Sequence, residues 1–94
     1  MGADPFIAEI GTFAGNFAPQ DWHDCDGTLL PITQYQALYS LIGTLYGGDG
    51  RSTFAVPDLR ERTPDGRPIS FDENLRHGKP RKCICLNGIY PPRP

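Results

Sequence analysis

The first fifty residues contain no lysine or arginine. All nine basic side chains fall between Arg51 and Arg93, whereas the eleven acids are spread over both halves. At a formal net charge of −2 the chain has no overall field to draw in nucleic acid. Long apolar runs are missing too. Nothing approaches the ~20 apolar residues that a membrane-spanning helix needs. The start, MGADPFIAEIG, has neither the basic opening nor the apolar stretch of a signal peptide. Met1-Gly2 would suit N-myristoylation, but that motif wants Ser or Thr where Phe6 stands. Cysteine is sparse: Cys25, Cys83 and Cys85 cannot all pair within one chain, and the count suits a reducing compartment. Cys83 and Cys85, two apart on a strand, point the same way and are badly placed for each other. A link from Cys25 to either of them stays open. No internal repeat, nucleophile elbow, HExxH or Walker motif occurs.

What is abundant is backbone punctuation: eleven glycines and ten prolines in 94 residues. That predicts many turns and few long elements within a single domain. Hydrophobic residues make up only 38% of the chain, so the core is modest and association with further copies would help it. FIAEIGTF (6–13) reads as a strand, AGNFAPQD (14–21) as a turn, and Trp22–Cys25 as a second short strand. Asp26-Gly27 is a hairpin signal, with Leu29-Leu30 following it. Thr33 and Gln36 fit the S/T-x-x-E/Q capping box of a helix over 34–42. Tyr35, Leu38, Leu41, Ile42 and Leu45 form its apolar stripe, and Gly43 ends it. YGGDGRS (46–52) reads as a tight loop and Phe54–Val56 as a strand stopped by Pro57. Residues 60–82 are charged and nearly free of apolar side chains, which predicts a long loop or disordered segment. CICLNGIY (83–90) returns to strand character before Pro91, Pro92 and Pro94.

Several residue groups invite a chemical reading. His23 with Cys25, and Cys83 with Cys85, are pairs spaced by two that would enclose zinc if the strands brought them together. The spacing is not that of a zinc knuckle, and reduced cysteine is a common small core residue. Asp21, Asp24 and Asp26 cluster as calcium ligands do, but turn roles account for Asp24 and Asp26 without an ion. YGGDG resembles a phosphate loop only in its glycine content and reads as backbone needing positive φ. Cys25 with His23 or His77 is a formal nucleophile–base couple, yet the neighbouring acids oppose a thiolate. The interleaved acids Glu61, Asp65, Asp72 and Glu73 blunt the basic 60–82 stretch as a phosphate binder. Phe17, Trp22, Tyr46 and Tyr90 would serve equally as core or as stacking platforms for sugar rings.

Residues 9–60 assemble these pieces into one string, EIGTFAGNFAPQDWHDCDGTLLPITQYQALYSLIGTLYGGDGRSTFAVPDLR. The blocks Phe13–Pro19, Trp22, Cys25-Asp26-Gly27, Ala37-Leu38, Gly43-Thr44, Tyr46–Gly50 and Thr53–Arg60 occur in an order that resembles the phage tail collar domain. The resemblance is to its branch known as the microcystin-dependent proteins. Where that family reads Leu-Arg-Gly-Arg, this chain has Leu59-Arg60-Glu61-Arg62. Only residues 61–82 stand in place of a longer glycine-rich stretch, which implies a shortened member.

The expected fold is α+β: a small twisted sheet or sandwich with one packed helix and long loops. Residues 1–94 are read as one collar-like domain, with a core at 6–60, a polar loop or disordered segment at 61–82 and a terminal strand at 83–90. The turn and core residues expected to carry it are Gly15, Asp26, Gly27, Leu38, Leu41, Gly47, Gly48, Gly50, Pro57 and Asp58. Asp58 and Arg60 are expected to form an ion pair. Trp22, Tyr46, Arg60 and Arg62 are the candidate ligand contacts; no catalytic residue, metal site or cofactor is expected. The resemblance implies a non-catalytic tail-fibre or collar module, made in the bacterial cytoplasm and destined for a virion tail or tail-derived particle. Its implied partners are further copies in a trimer or other tail-fibre chains. A cell-surface glycan is the alternative partner, and neither membrane insertion nor nucleic-acid binding is expected.

Overall fold

The structure is a computed structural model and describes residues 5–92. Met1-Gly2, with its acylation motif, and Pro94 lie outside the described residues. The elements run β1 (Ile10–Phe13), β2 (Trp22–Asp24), β3 (Leu29–Pro31), α1 (Gln36–Ile42), β4 (Thr53–Ala55), α2 (Phe71–Arg76) and β5 (Arg81–Cys85). The architecture is α+β, with two antiparallel sheets: a three-stranded one in the order β1-β5-β2 and a two-stranded one, β3-β4. No helix is long and apolar enough to cross a membrane among the described residues.

The last strand forms the middle of the larger sheet. β5 pairs with β1 through Gly11↔Cys83 and Phe13↔Arg81, and with β2 through Trp22↔Cys85 and Asp24↔Cys83. Side chains alternate across a strand, so this register sorts the residues onto two faces. Ile84 points to the main core with Ile7, Cys25, Leu30, Leu38, Phe54, Val56 and Leu86. Arg81, Cys83 and Cys85 share the opposite face with Gly11, Phe13, Trp22 and Asp24. There the rings of Phe13 and Trp22 meet edge to face, 4.9 Å between centroids, over Gly11. A Cβ on Gly11 would come within 3.1 Å of both rings. This roof explains why small thiols stand at positions 83 and 85, both fully buried beneath it.

Cys25 follows β2 and packs with Ile84, on the face away from Cys83 and Cys85. All three cysteines are free and buried. The open question of a Cys25 link is thus answered by the alternation of the strand.

Several sequence expectations are corrected. The strand read at 6–13 begins only at Ile10, because Ala8 takes a left-handed φ of 74° and Phe6–Glu9 close a turn. Asp26-Gly27 does not turn a hairpin: β2 and β3 belong to different sheets. Asp26 instead accepts bonds from the amide and hydroxyl of Thr28, and it bridges to Asp58. The Thr33–Gln36 capping box does not form. Successive turns carry the chain from Pro31 to Tyr35, which is the N-cap and makes no side-chain capping bond. On α1, Leu38 is fully buried, while Tyr35, Leu41 and Ile42 pack against the core. Leu45 leaves the expected stripe and is 76% exposed, because the helix stops at Gly43.

The largest correction concerns residues 61–82. This stretch holds α2 and the start of β5, with Phe71 and Asn74 buried. Ser70 caps α2 by accepting from the Glu73 amide at 3.1 Å. The S-x-x-E pattern was present in the sequence, at Ser70–Glu73 rather than at Thr33–Gln36. At the C-terminal end, β5 begins at Arg81 and stops at Cys85. Residues 86–88 bend, so the 83–90 strand reading was displaced by two residues and too long.

In the 43–50 loop, Gly48 is the position least open to substitution. Its φ is 97°, and a Cβ there would lie 2.4 Å from the Phe54 Cα. The backbone of the loop thus lies directly against β4, and Ala55 donates to the Gly47 carbonyl at 3.0 Å. Pro57 is buried just after β4.

Candidate functional site

The four sequence-chosen contacts do not converge. Trp22 lies on β2 under Phe13, Arg60 and Arg62 gather around Asp58, and Tyr46 is exposed at 49% in the glycine loop. Trp22 and Arg60 line two separate clefts.

The first cleft, of about 170 Å³, is lined by Asp24, Asp26, Arg60, Phe71, Asp72 and Arg81 among others. Arg81 is its centre, 3% exposed at the first position of β5. Its Nε donates to the Gly15 carbonyl at 2.9 Å and one Nη to Asp24 at 2.8 Å. The other Nη reaches the Asn16 carbonyl at 2.9 Å and Asp72 at 2.6 Å. One guanidinium thereby ties the 14–17 turn, β2 and α2 to the central strand. Burial opposes the charge on Arg81, but the bonds to Asp72 and Asp24 outweigh it and its pKa is raised. The Cys83 thiol donates to the remaining Asp24 oxygen at 3.4 Å. Burial, then that bond, push the thiol up to about 12.

At the rim of this cleft Asp58 and Arg60 form the expected ion pair, a two-pronged one at 2.9 and 2.8 Å. Arg62 adds a bond at 3.2 Å. The side-chain bond from Arg60 is the main reason that the Asp58 carboxyl is lowered to about 2. Across the molecule Asp49 plays a similar part in the glycine loop. It accepts from the amides of Arg51, Ser52 and Thr53 at 2.9 to 3.0 Å and is held well below the usual carboxylate range.

The second cleft, of about 480 Å³, lies where the 19–22 and 86–89 segments meet Pro5. Trp22, Pro5 and Ile89 give it an apolar wall, and Gln20, Asp21 and Asn87 a polar one. The polar wall is fixed by backbone bonds. Asp21, at a φ of 68°, accepts from the Leu86 amide at 2.7 Å, and Trp22 donates to Pro19 at 3.0 Å. The Asn87 carbonyl accepts from the Cys85 thiol at 3.1 Å. Gly88 abuts the chain start so closely that a Cβ would sit 2.4 Å from the Pro5 carbonyl oxygen.

The metal readings lose their geometry. Asp21, Asp24 and Asp26 turn to three different partners: Asn87, Arg81 and Thr28. His23 bonds the Asp24 carbonyl through Nδ1. No group of three or more His, Cys, Asp and Glu side chains converges as metal ligands among the described residues. Cys25, the formal nucleophile, has its thiol pushed up to about 12 by burial and then by Asp24 and Asp26.

Sequence reasoning placed Arg81 only in a diffuse basic stretch and did not single out Asn87. Arg81 heads an alternating strand, which is where a buried charge seeks partners, but those partners lie at positions 15, 16, 24 and 72. Nothing local signals them.

A family model described as the phage tail collar domain matches residues 8–64. Neither the curated proteins nor the solved structures contain a match to the chain.

Proposed function

The chain belongs to the phage tail collar domain family, and from that premise we propose that it is a non-catalytic structural and assembly module of a tail fibre or tail-derived particle. Within the family its glycine-loop and PDLR blocks favour the microcystin-dependent branch. The match over residues 8–64, from β1 through β4, carries the reading. Two physical observations support it. The nucleophile candidate Cys25 is buried and protonated, which suits packing rather than catalysis. Large apolar side chains also stand exposed on a small chain: Phe6, Ile10, Phe17, Leu29 and Leu45 are each at least 44% accessible. Such surface is what association with further copies or other fibre chains would cover.

The module is made in the bacterial cytoplasm, works in the virion tail, and associates as a trimer. Light scattering over a concentration series tests this. A stable trimeric mass is expected, and a strict monomer at high concentration would overturn it. A second reading, attachment to a cell-surface glycan, is favoured by the cleft beside Trp22, whose lining joins an aromatic ring to polar side chains. A glycan array tests that reading directly.

A further inference from the structure

We infer that the cleft lined by Trp22, Asp21 and Asn87 binds a neutral sugar ring. The inference rests on the glycan-attachment reading and gives it a place and a ligand class. Its first support is hydrogen-bonding capacity left unused. In the Arg81 cleft every prong of the central guanidinium has an acceptor, and Arg60 is held by Asp58. In the Trp22 cleft Asp21 receives one long side-chain bond, from Asn87 at 3.4 Å, and the Gln20 side chain has no partner among the described residues. A carboxylate accepts about four bonds and an amide both donates and accepts, so this wall can still receive a ligand.

The second support is the composition of the lining, which joins Trp22, Pro5 and Ile89 to Gln20, Asp21 and Asn87. A ligand that fits must show an apolar face to Trp22 and a rim of donors and acceptors to Asp21 and Asn87. A pyranose does so, with its C–H face on the indole and adjacent hydroxyls donating to the carboxylate. The space, about 480 Å³, lies within the usual range for small-molecule sites. Among the lining residues Asp21 is the one charged side chain and none is basic, which disfavours phosphate, sulfate and acidic sugars. The wall is also held before any ligand arrives, through the Leu86–Asp21 and Cys85–Asn87 bonds, which lowers the ordering cost of binding.

Trp22 is the single tryptophan of the chain and lines this cleft, so its fluorescence reports on a ligand bound there. The experiment titrates the full chain with glucose, galactose, mannose and N-acetylglucosamine through the millimolar range in which single-ring ligands bind. A saturable emission change with at least one sugar is expected. Asp21→Asn and Asn87→Ala should weaken it by about tenfold or more, the usual effect of losing a hydrogen bond to or from a charged group. Leu45→Ser, on a side chain that is 76% exposed elsewhere, should leave it unchanged. Asparagine tolerates the left-handed backbone at position 21, so the first variant keeps the fold. Emission that stays flat with all four sugars overturns the site, as does a change that both cleft variants leave intact. If the array shows glycan binding while emission stays flat, attachment survives through another surface and this inference alone fails. No glycan binding of any kind overturns both.

Discussion

The clefts around Arg81 and beside Trp22 sit along the same face of the larger sheet, and each is backed by one cysteine of β5. Cys83 donates into the Arg81 cleft through Asp24, and Cys85 into the Trp22 cleft through Asn87. They differ in what remains available. Around Arg81 the charges neutralise one another and fasten three segments; around Trp22 the backbone is held by hydrogen bonds while the polar side chains have few partners among the described residues. A saturated network contributes to the fold, whereas an unsaturated one can address a ligand.

The largest effect should come from Arg81→Met. It leaves Asp24 and the Gly15 and Asn16 carbonyls without their donor and removes the tie to α2 through Asp72. Arg81 is buried but the carboxylates it leaves are partly or largely exposed, so the loss should be that of hydrogen bonds to a charged group, about 1.5–3 kcal/mol in denaturant unfolding. A loss below about 1 kcal/mol would mean that water replaces the guanidinium and the cleft is not a fastening.

The thiols sharpen the contrast in alkali. Burial raises Cys83 to about 12, and it raises Cys85 as well. Their folded pKa values exceed the unfolded ones, so their contribution is full below the ordinary thiol pKa of about 8.5 and is lost as pH rises towards about 12. Stability should therefore fall above about pH 9, and thiol reagents near pH 8 should label the chain only as it unfolds. Fast labelling of Cys85 in the native state would show that the Trp22 cleft opens where the Arg81 cleft does not.

In acid the effect is smaller. Asp58, lowered to about 2, contributes stability that is full above its unfolded pKa and is lost as pH falls through the folded value of about 2. The pair is partly exposed, so Asp58→Asn should cost at most about 1 kcal/mol at neutral pH and flatten the acid limb. The smallest effect belongs to the other cleft. Asp21→Asn should shift stability by no more than about 0.5 kcal/mol, as at an ordinary surface position. A loss comparable to that of Arg81→Met would make the Trp22 cleft structural too, and the comparison would collapse.

Much of the fold was legible where the signal is local. α1 follows from the spacing of Tyr35, Leu38, Leu41 and Ile42, and the glycine loop from Gly47, Gly48 and Gly50. The Asp58–Arg60 pair follows from their spacing by two. The segment 61–82 was misread because composition was weighed above pattern. Its few apolar side chains include Phe71 and Leu75, one helical turn apart behind the Ser70 cap, and its charges pair with one another, as Lys79 does with Glu61 at 2.9 Å. Asp26-Gly27 misled for the opposite reason, since a strong turn signal says nothing about which strand lies alongside.

By itself the sequence determined the class of the fold, its family, its main helix and the turns that only glycine allows, because each depends on neighbours a few residues apart. The tertiary structure decided the rest. β5 enters between β1 and β2 some sixty residues after they are made, and that one insertion sets every cross-strand partner of the larger sheet. It brings Arg81 to Asp24 and Asn87 to Asp21. Long-range pairing follows from which buried surfaces fit together, and no local pattern along the chain records it.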